Sequence, residues 1–413
     1  MKLKITILLL IASPMLWSQS VDRLLNKANQ TFQNGEFEKA TQQYEKIPWQ
    51  TENAETTLQL ARLALLGNQF DKAESLLNGH LNNEPGDSLA SKLLAETLYR
   101  QDSYERLPKL LTNAKTLYRM RQITHFTDNG LQPYTMKKVY KKVVIKMETI
   151  DFLPSVKMKV NGKEGLFIID TGGGETIIDS EFAKLAGAIA FDQKEAVYAG
   201  GAKAKTTLGY VERLKLGKLE IEHLPVHIQP TQQYAQAVGG KEVSGIIGTN
   251  LLYHFHATLD YQAGELVLYN KTSHFKPKGI VIPMWLAADH LILAQGKLMQ
   301  GEDQLFLVDT GMAGAGFTAP KSTLDAAGVQ LPDSGSFEGQ GAGGAVSVTP
   351  FMIDKVSLGA LSNKNQIVGL FGPFPPGLEH SMGFRIGGLI SHAFFRPYAV
   401  TFDFVKMRIY VRD

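Results

Sequence analysis

Two copies of one short pattern set the frame of this chain. Gly165-Leu166-Phe167-Ile168-Ile169-Asp170-Thr171-Gly172 returns in the second half as Gln304-Leu305-Phe306-Leu307-Val308-Asp309-Thr310-Gly311. In each copy an apolar run ends on an aspartate followed by Thr-Gly, the pattern of a buried strand opening into a tight turn at a carboxylate. The surroundings repeat too. Gly248, closing Ile246-Ile247-Gly248, lies as far beyond Asp170 as Gly387, closing Arg385-Ile386-Gly387, lies beyond Asp309. Leu216-Gly217 returns as Leu358-Gly359, and Thr258-Leu259-Asp260-Tyr261 as Thr401-Phe402-Asp403-Phe404. A duplicated lobe accounts for this economically: lobe one over 139–270, lobe two over 271–413. Segments such as Val156-Lys157-Met158-Lys159-Val160, followed by the turn pair Asn161-Gly162, alternate with period two, so the lobes are expected to be all-β.

A different repeat precedes them. Asn34-Gly35-Glu36-Phe37-Glu38-Lys39-Ala40 returns as Gly67-Asn68-Gln69-Phe70-Asp71-Lys72-Ala73, and Gln101-Asp102-Ser103-Tyr104 is a weaker third copy. Phe37, Phe70 and Tyr104 recur at nearly equal intervals, each long enough for a pair of helices, and Leu58, Ala61, Leu65, Ala73 and Leu77 follow helical spacing. The segment 20–118 resembles tetratricopeptide repeats, which implies paired helices stacked into an all-α domain. Such a stack can bind a protein partner in its groove or act as a packed spacer, and the sequence leaves both open. Residues 119–138, basic and containing Pro133, read as a linker.

Lys2 and Lys4 before the apolar run Ile5–Ala12 read as a signal peptide over 1–19, placing the mature protein in the periplasm or outside the cell. The run is too short for a stable membrane anchor. A net charge of +3, two of it from that leader, gives no nucleic-acid footprint. The absence of cysteine excludes a thiol nucleophile, a disulfide framework and a thiolate metal site. The histidine pairs His223/His227 and His254/His256 lack a nearby third ligand, so no metal is expected.

Brought face to face by a pseudo-twofold axis, Asp170 and Asp309 could not both stay ionised and would hold one proton between them. On these residues the region 139–413 resembles the aspartic protease superfamily, each lobe similar to a retropepsin subunit and the covalent layout similar to pepsin. The resemblance implies a peptide or protein substrate, an endopeptidase activity without cofactor, a monomer, and Asp170 and Asp309 as the catalytic pair. It also implies that Thr171 and Thr310 bond across the interface, that Gly172 and Gly311 admit close backbone approach, and that the segments ending at Gly248 and Gly387 thread behind the catalytic loops. Two departures stand out. Gly173 and Met312 occupy the place where pepsin-like members carry a hydroxyl, and Arg385 stands opposite the apolar Ile246. These keep a non-catalytic peptide-binding module open as the alternative. Glu175 reads as a surface carboxylate.

A hairpin flap is expected over the pair in each lobe. Tyr198 with Gly200 and Gly201, and Phe337 with Gly341 and Gly343, supply the candidates; the two aromatics stand equally far along the chain from their aspartates. The second stretch also fits Gly-x-Gly-x-x-Gly, but it runs into Val346-Ser347-Val348 rather than a helix, which argues against a dinucleotide cofactor.

Overall fold

Gly35, Asn68 and Asp102 hold left-handed backbone, with φ of +77°, +52° and +57°, and each ends the first helix of a repeat. Glycine, asparagine and aspartate tolerate this conformation best, so the repeat is written in its turns. The computed structural model describes residues 14–48, 53–110, 118–197, 203–287, 290–333, 335–341, 344–372, 374 and 377–413. The helices are α1 (Pro14–Gln33), α2 (Phe37–Tyr44), α3 (Ala54–Leu66), α4 (Phe70–Asn83) and α5 (Ser88–Arg100), followed by a 3₁₀ segment, Tyr104–Leu110. Phe37, Phe70 and Tyr104 thus each open the second helix of a pair. Asp87 caps α5 by accepting from the Leu89 and Ala90 amides at 2.8 and 2.9 Å. The expected mature start at residue 20 falls inside α1.

The stretch 119–138, expected as a linker, is helical in its first half and turns and coil in its second, where Thr135 bridges to Glu222. It contains most of α6 (Tyr118–Asp128), whose Met120, Ile123 and Phe126 are buried. Their spacing forms an apolar stripe among basic residues, which is why the region reads as irregular by charge.

Lobe one is a closed barrel. Its path runs through strands Ser155–Val160, Lys163–Ile169, Gly245–Ile247, Ile177–Ile178, Leu219–Ile228 and Lys203–Leu216, and Val160 pairs back with Leu214 to close it. The alternation predicted for the strands holds: Val156, Met158 and Val160 face the core while Lys157 and Lys159 face solvent. Asn161 and Gly162 both take positive φ in the intervening turn. Lobe two follows the same path through Leu291–Leu298, Gln304–Asp309, Gly388–Ser391, Phe317–Thr318, Ile367–Phe371 and Gly344–Ile353, and Leu298 pairs with Val356. Beneath them lies a sheet with three strands from each lobe: Lys142–Thr149, Glu265–Asn270 and Phe255–Asp260 from lobe one, Ala399–Asp403, Arg408–Arg412 and Ile280–Pro283 from lobe two. At its centre Thr258 pairs with Thr401, and their hydroxyls bond at 2.7 Å. The pseudo-twofold axis passes between them.

The repeats pack against this body. Phe37 meets the rings of Trp285 and Phe384, the Arg385 amide donates to the Gln33 carbonyl at 2.8 Å, and the buried Arg100 donates to the carbonyls of Leu286 and Ala287 at 3.1 Å each. Among the described residues no helix is long and apolar enough to cross a membrane.

Candidate active site

Each Asp-Thr-Gly strand ends where a threading strand holds it. Gly245–Ile247 runs parallel to Lys163–Ile169 and antiparallel to Ile177–Ile178, passing between them, and the Asp170 amide donates to the Ile247 carbonyl at 3.0 Å. In lobe two Gly388–Ser391 passes in the same way between Gln304–Asp309 and Phe317–Thr318.

This register corrects one expectation. Ile169 pairs with Ile247 and Val308 with Ile390, so the counterpart of Gly248 is Ser391, not Gly387, and the counterpart of Ile246 is the apolar Leu389, not Arg385. Lobe two has a longer connection between the aspartate and the threading strand, and a glycine at the unshifted distance imitates the match. A Cβ on Gly248 would collide with the carbonyls of Gly174 and Glu175, whereas Ser391 has room and caps the following helix by accepting from the Ala393 amide at 3.0 Å.

The two loops then lock across the axis. Thr171 Oγ1 donates to the Val308 carbonyl at 2.6 Å and accepts from the Thr310 amide at 3.1 Å. Thr310 Oγ1 donates to the Ile169 carbonyl at 2.9 Å and accepts from the Thr171 amide at 3.0 Å. Both threonines are buried, so this four-bond set is shielded from water. It holds the carboxyls together. Asp170 Oδ1 accepts from the Gly172 amide at 2.7 Å, Asp309 Oδ1 from the Gly311 amide at 2.9 Å, and the two carboxyls hydrogen-bond each other. The glycines pack crosswise: a Cβ on Gly172 would lie 2.7 Å from Asp309 Oδ2, and one on Gly311 2.5 Å from Asp170 Oδ2.

Burial raises both carboxyls above the ordinary carboxylate range. At Asp170 the Gly172 amide, the hydrogen bond with Asp309 and the Gly311 amide oppose the rise. At Asp309 the charge of Asp170 and the shared hydrogen bond add to it, so that carboxyl lies well above its usual value. The pair therefore loses its protons in two separated steps, and between them one proton is shared.

Lobe one carries a hairpin, Ile189–Val197 with Lys203–Leu216, and lobe two carries Phe337–Gly341 with Gly344–Ile353. Tyr198, Gly200, Gly201 and Gly343 lie outside the described residues. Gly341 pairs with Gly344 beside the second turn, but Phe337 pairs with Val348 where the hairpin leaves the sheet, and its ring is exposed. Phe337 thus stands at the base of its hairpin and not at the tip, where a flap residue is expected.

Glu175, expected at the surface, is buried near Tyr134, whose hydroxyl is raised well above its ordinary range by burial first and then by the charges of Tyr99 and Glu175. His254, read from the sequence only as half of a histidine pair without a third ligand, lies just before the strand Phe255–Asp260 and contacts Asp102 of the repeats. No spacing in the sequence joins two residues so far apart along the chain.

Residues 156–251 match the aspartyl protease family model and residues 31–97 the tetratricopeptide repeat model. The chain thus joins tetratricopeptide repeats to an aspartyl-protease-like domain, the combination its sequence resembles. The first match contains Asp170; the place of Asp309 rests on the twofold geometry. No curated protein matches the chain.

Proposed function

We propose that this protein is an aspartic endopeptidase acting through Asp170 and Asp309. The observation that carries the reading is the pair of half-buried, mutually hydrogen-bonded carboxyls held across a pseudo-twofold axis by Thr171 and Thr310. In the state with one shared proton, the ionised carboxylate takes a proton from a water whose oxygen attacks the peptide carbonyl carbon. The protonated carboxyl donates to the carbonyl oxygen, giving a neutral gem-diol and exchanging the roles of the two acids. Collapse breaks the C–N bond: one acid protonates the leaving nitrogen while the other recovers a proton from a diol hydroxyl. The two hairpins close over an extended peptide, and the protein works as a monomer because both halves of the site lie in one chain. The leader places it in the periplasm or outside the cell, and the face of the repeats turned away from the lobes recruits protein.

Digestion of a diverse peptide library between about pH 3 and 8, read by mass spectrometry, tests this. Cleavage lost in folded Asp170→Asn and in folded Asp309→Asn supports the dyad. Peptide capture without cleavage by the folded wild type would replace it with the binding-module reading.

A further inference from the structure

Among the described residues, the repeats connect to one catalytic loop and not to the other. Asp102, in the turn of the third repeat, accepts from Tyr104 Oη at 2.7 Å and lies 3.3 Å from Nε2 of His254, whose Nδ1 is 2.8 Å from the Asn250 carbonyl. The His254 ring stacks on Tyr134 with centroids 4.1 Å apart, which fixes its plane. His254 follows the short helix Thr249–Leu252, and that helix holds the catalytic loop directly. The Thr249 amide donates to the Gly173 carbonyl at 2.9 Å, the Asn250 amide to the Gly174 carbonyl at 2.8 Å, and Thr249 Oγ1 to the Thr171 carbonyl at 3.2 Å. The Asn250 side chain is buried at the edge of a small cavity that Asp102, Tyr134 and His254 also line.

Lobe two has no such connection among the described residues. By the register of the threading strands, the counterpart of His254 is Pro397, which has no side-chain donor. The other repeat turns touch lobe two away from its loop: Asn68 donates to the Phe404 carbonyl at 3.1 Å, and Gln295 donates to the Gly35 carbonyl at 2.8 Å.

We infer that Asp102 and His254 are positioning residues for the lobe-one catalytic loop, so that the third repeat sets the geometry of Asp170 through the helix Thr249–Leu252. This rests on the peptidase reading for its kinetic consequence, but not for its structural one. A pathway of contacts becomes coupling only if perturbing one end changes the other. The matched repeat turns supply the control, since both Asp102 and Asn68 hold left-handed backbone that glycine accepts without strain.

Asp102→Gly, His254→Ala and Asn68→Gly are compared in the full-length chain by hydrogen exchange and by peptide cleavage. Expected for the first two is exchange about tenfold faster in residues 171–174, with residues 310–313 unchanged. kcat falls about tenfold at constant KM, because the loop and not the cleft is loosened. His254→Gln, which keeps a donor toward Asp102, restores most of both effects, and Asn68→Gly shows neither. Unchanged exchange at 171–174 in either folded variant overturns the inference, as does an equal rise in Asn68→Gly or at 310–313. A wild type that cleaves nothing sinks the peptidase reading alone, and the exchange result still decides this one.

Discussion

Gly172 and Gly173 are adjacent and carry opposite constraints. A Cβ at Gly172 enters the space of the Asp309 carboxyl, and one at Gly311 enters that of Asp170, whereas a Cβ at Gly173 meets nothing within 4 Å. The carboxyls are thus packed against backbone that only glycine leaves bare. Gly172→Ala or Gly311→Ala pushes the opposing carboxyl out of line, and a misplacement on the order of 1 Å costs about 100-fold in turnover. Gly173→Ala leaves turnover within about twofold, since an added methyl facing open space changes neither packing nor charge. Steady-state cleavage of one peptide by the three variants, with unfolding followed in parallel, separates these outcomes. The open space at Gly173 also means that a small hydroxyl side chain would fit there without moving the loop.

At the scale of elements, the two Asp-Thr-Gly strands were legible in the sequence because each keeps both its apolar run and its turn residues. The threading strands were less so. The glycines that truly correspond are Gly245 and Gly388, packed on the rings of Phe167 and Phe306, but the longer connection in lobe two shifts them off the repeat distance, and Gly387 imitates the match. The sheet beneath the lobes was visible only as the recurring Thr-x-Asp pattern, whose two aspartates take different partners. Asp260 meets Arg412 at the surface, whereas Asp403 is buried with Oδ1 3.2 Å from Nδ1 of His256. Burial alone would raise the Asp403 carboxyl, but the neighbouring His256 ring and the Lys406 and Val405 amides, which donate to Oδ1, together hold it below the ordinary range. A carboxyl lower in the folded than in the unfolded chain stabilises the fold above its unfolded value of about 4 and loses that contribution as pH falls through the folded one. Asp403 therefore contributes a loss of wild-type stability below about pH 4. Asp403→Asn lowers stability near neutrality by about 1–3 kcal/mol and flattens the acid decline; denaturant titrations at neutral pH and on either side of about pH 4 check both.

For the whole molecule, the repeat pattern identifies a helical stack, but no sequence period says which surface the stack covers. That depends on complementary packing between distant segments. Phe32 and Phe37 from the repeats enter one apolar cluster with Leu293, Leu305, Phe384 and Ile386 of lobe two, with Trp285 packed against it. Arg100 places its guanidinium against the Leu286 and Ala287 carbonyls, where a buried charge without those acceptors would be costly. A tethered recruiting module would unfold apart from the lobes, but a stack sharing its core with lobe two unfolds together with it. Phe37, buried with its centroid 5.0 Å from that of Phe384 and 5.4 Å from that of Trp285, tests the difference. Phe37→Ala removes about 3–5 kcal/mol of packing. Calorimetry is expected to show one unfolding transition in the wild type and one, at lower temperature, in the variant. Two transitions, of which only the helical one moves, would make the repeats an independent domain and confine their contact with the lobes to surface docking.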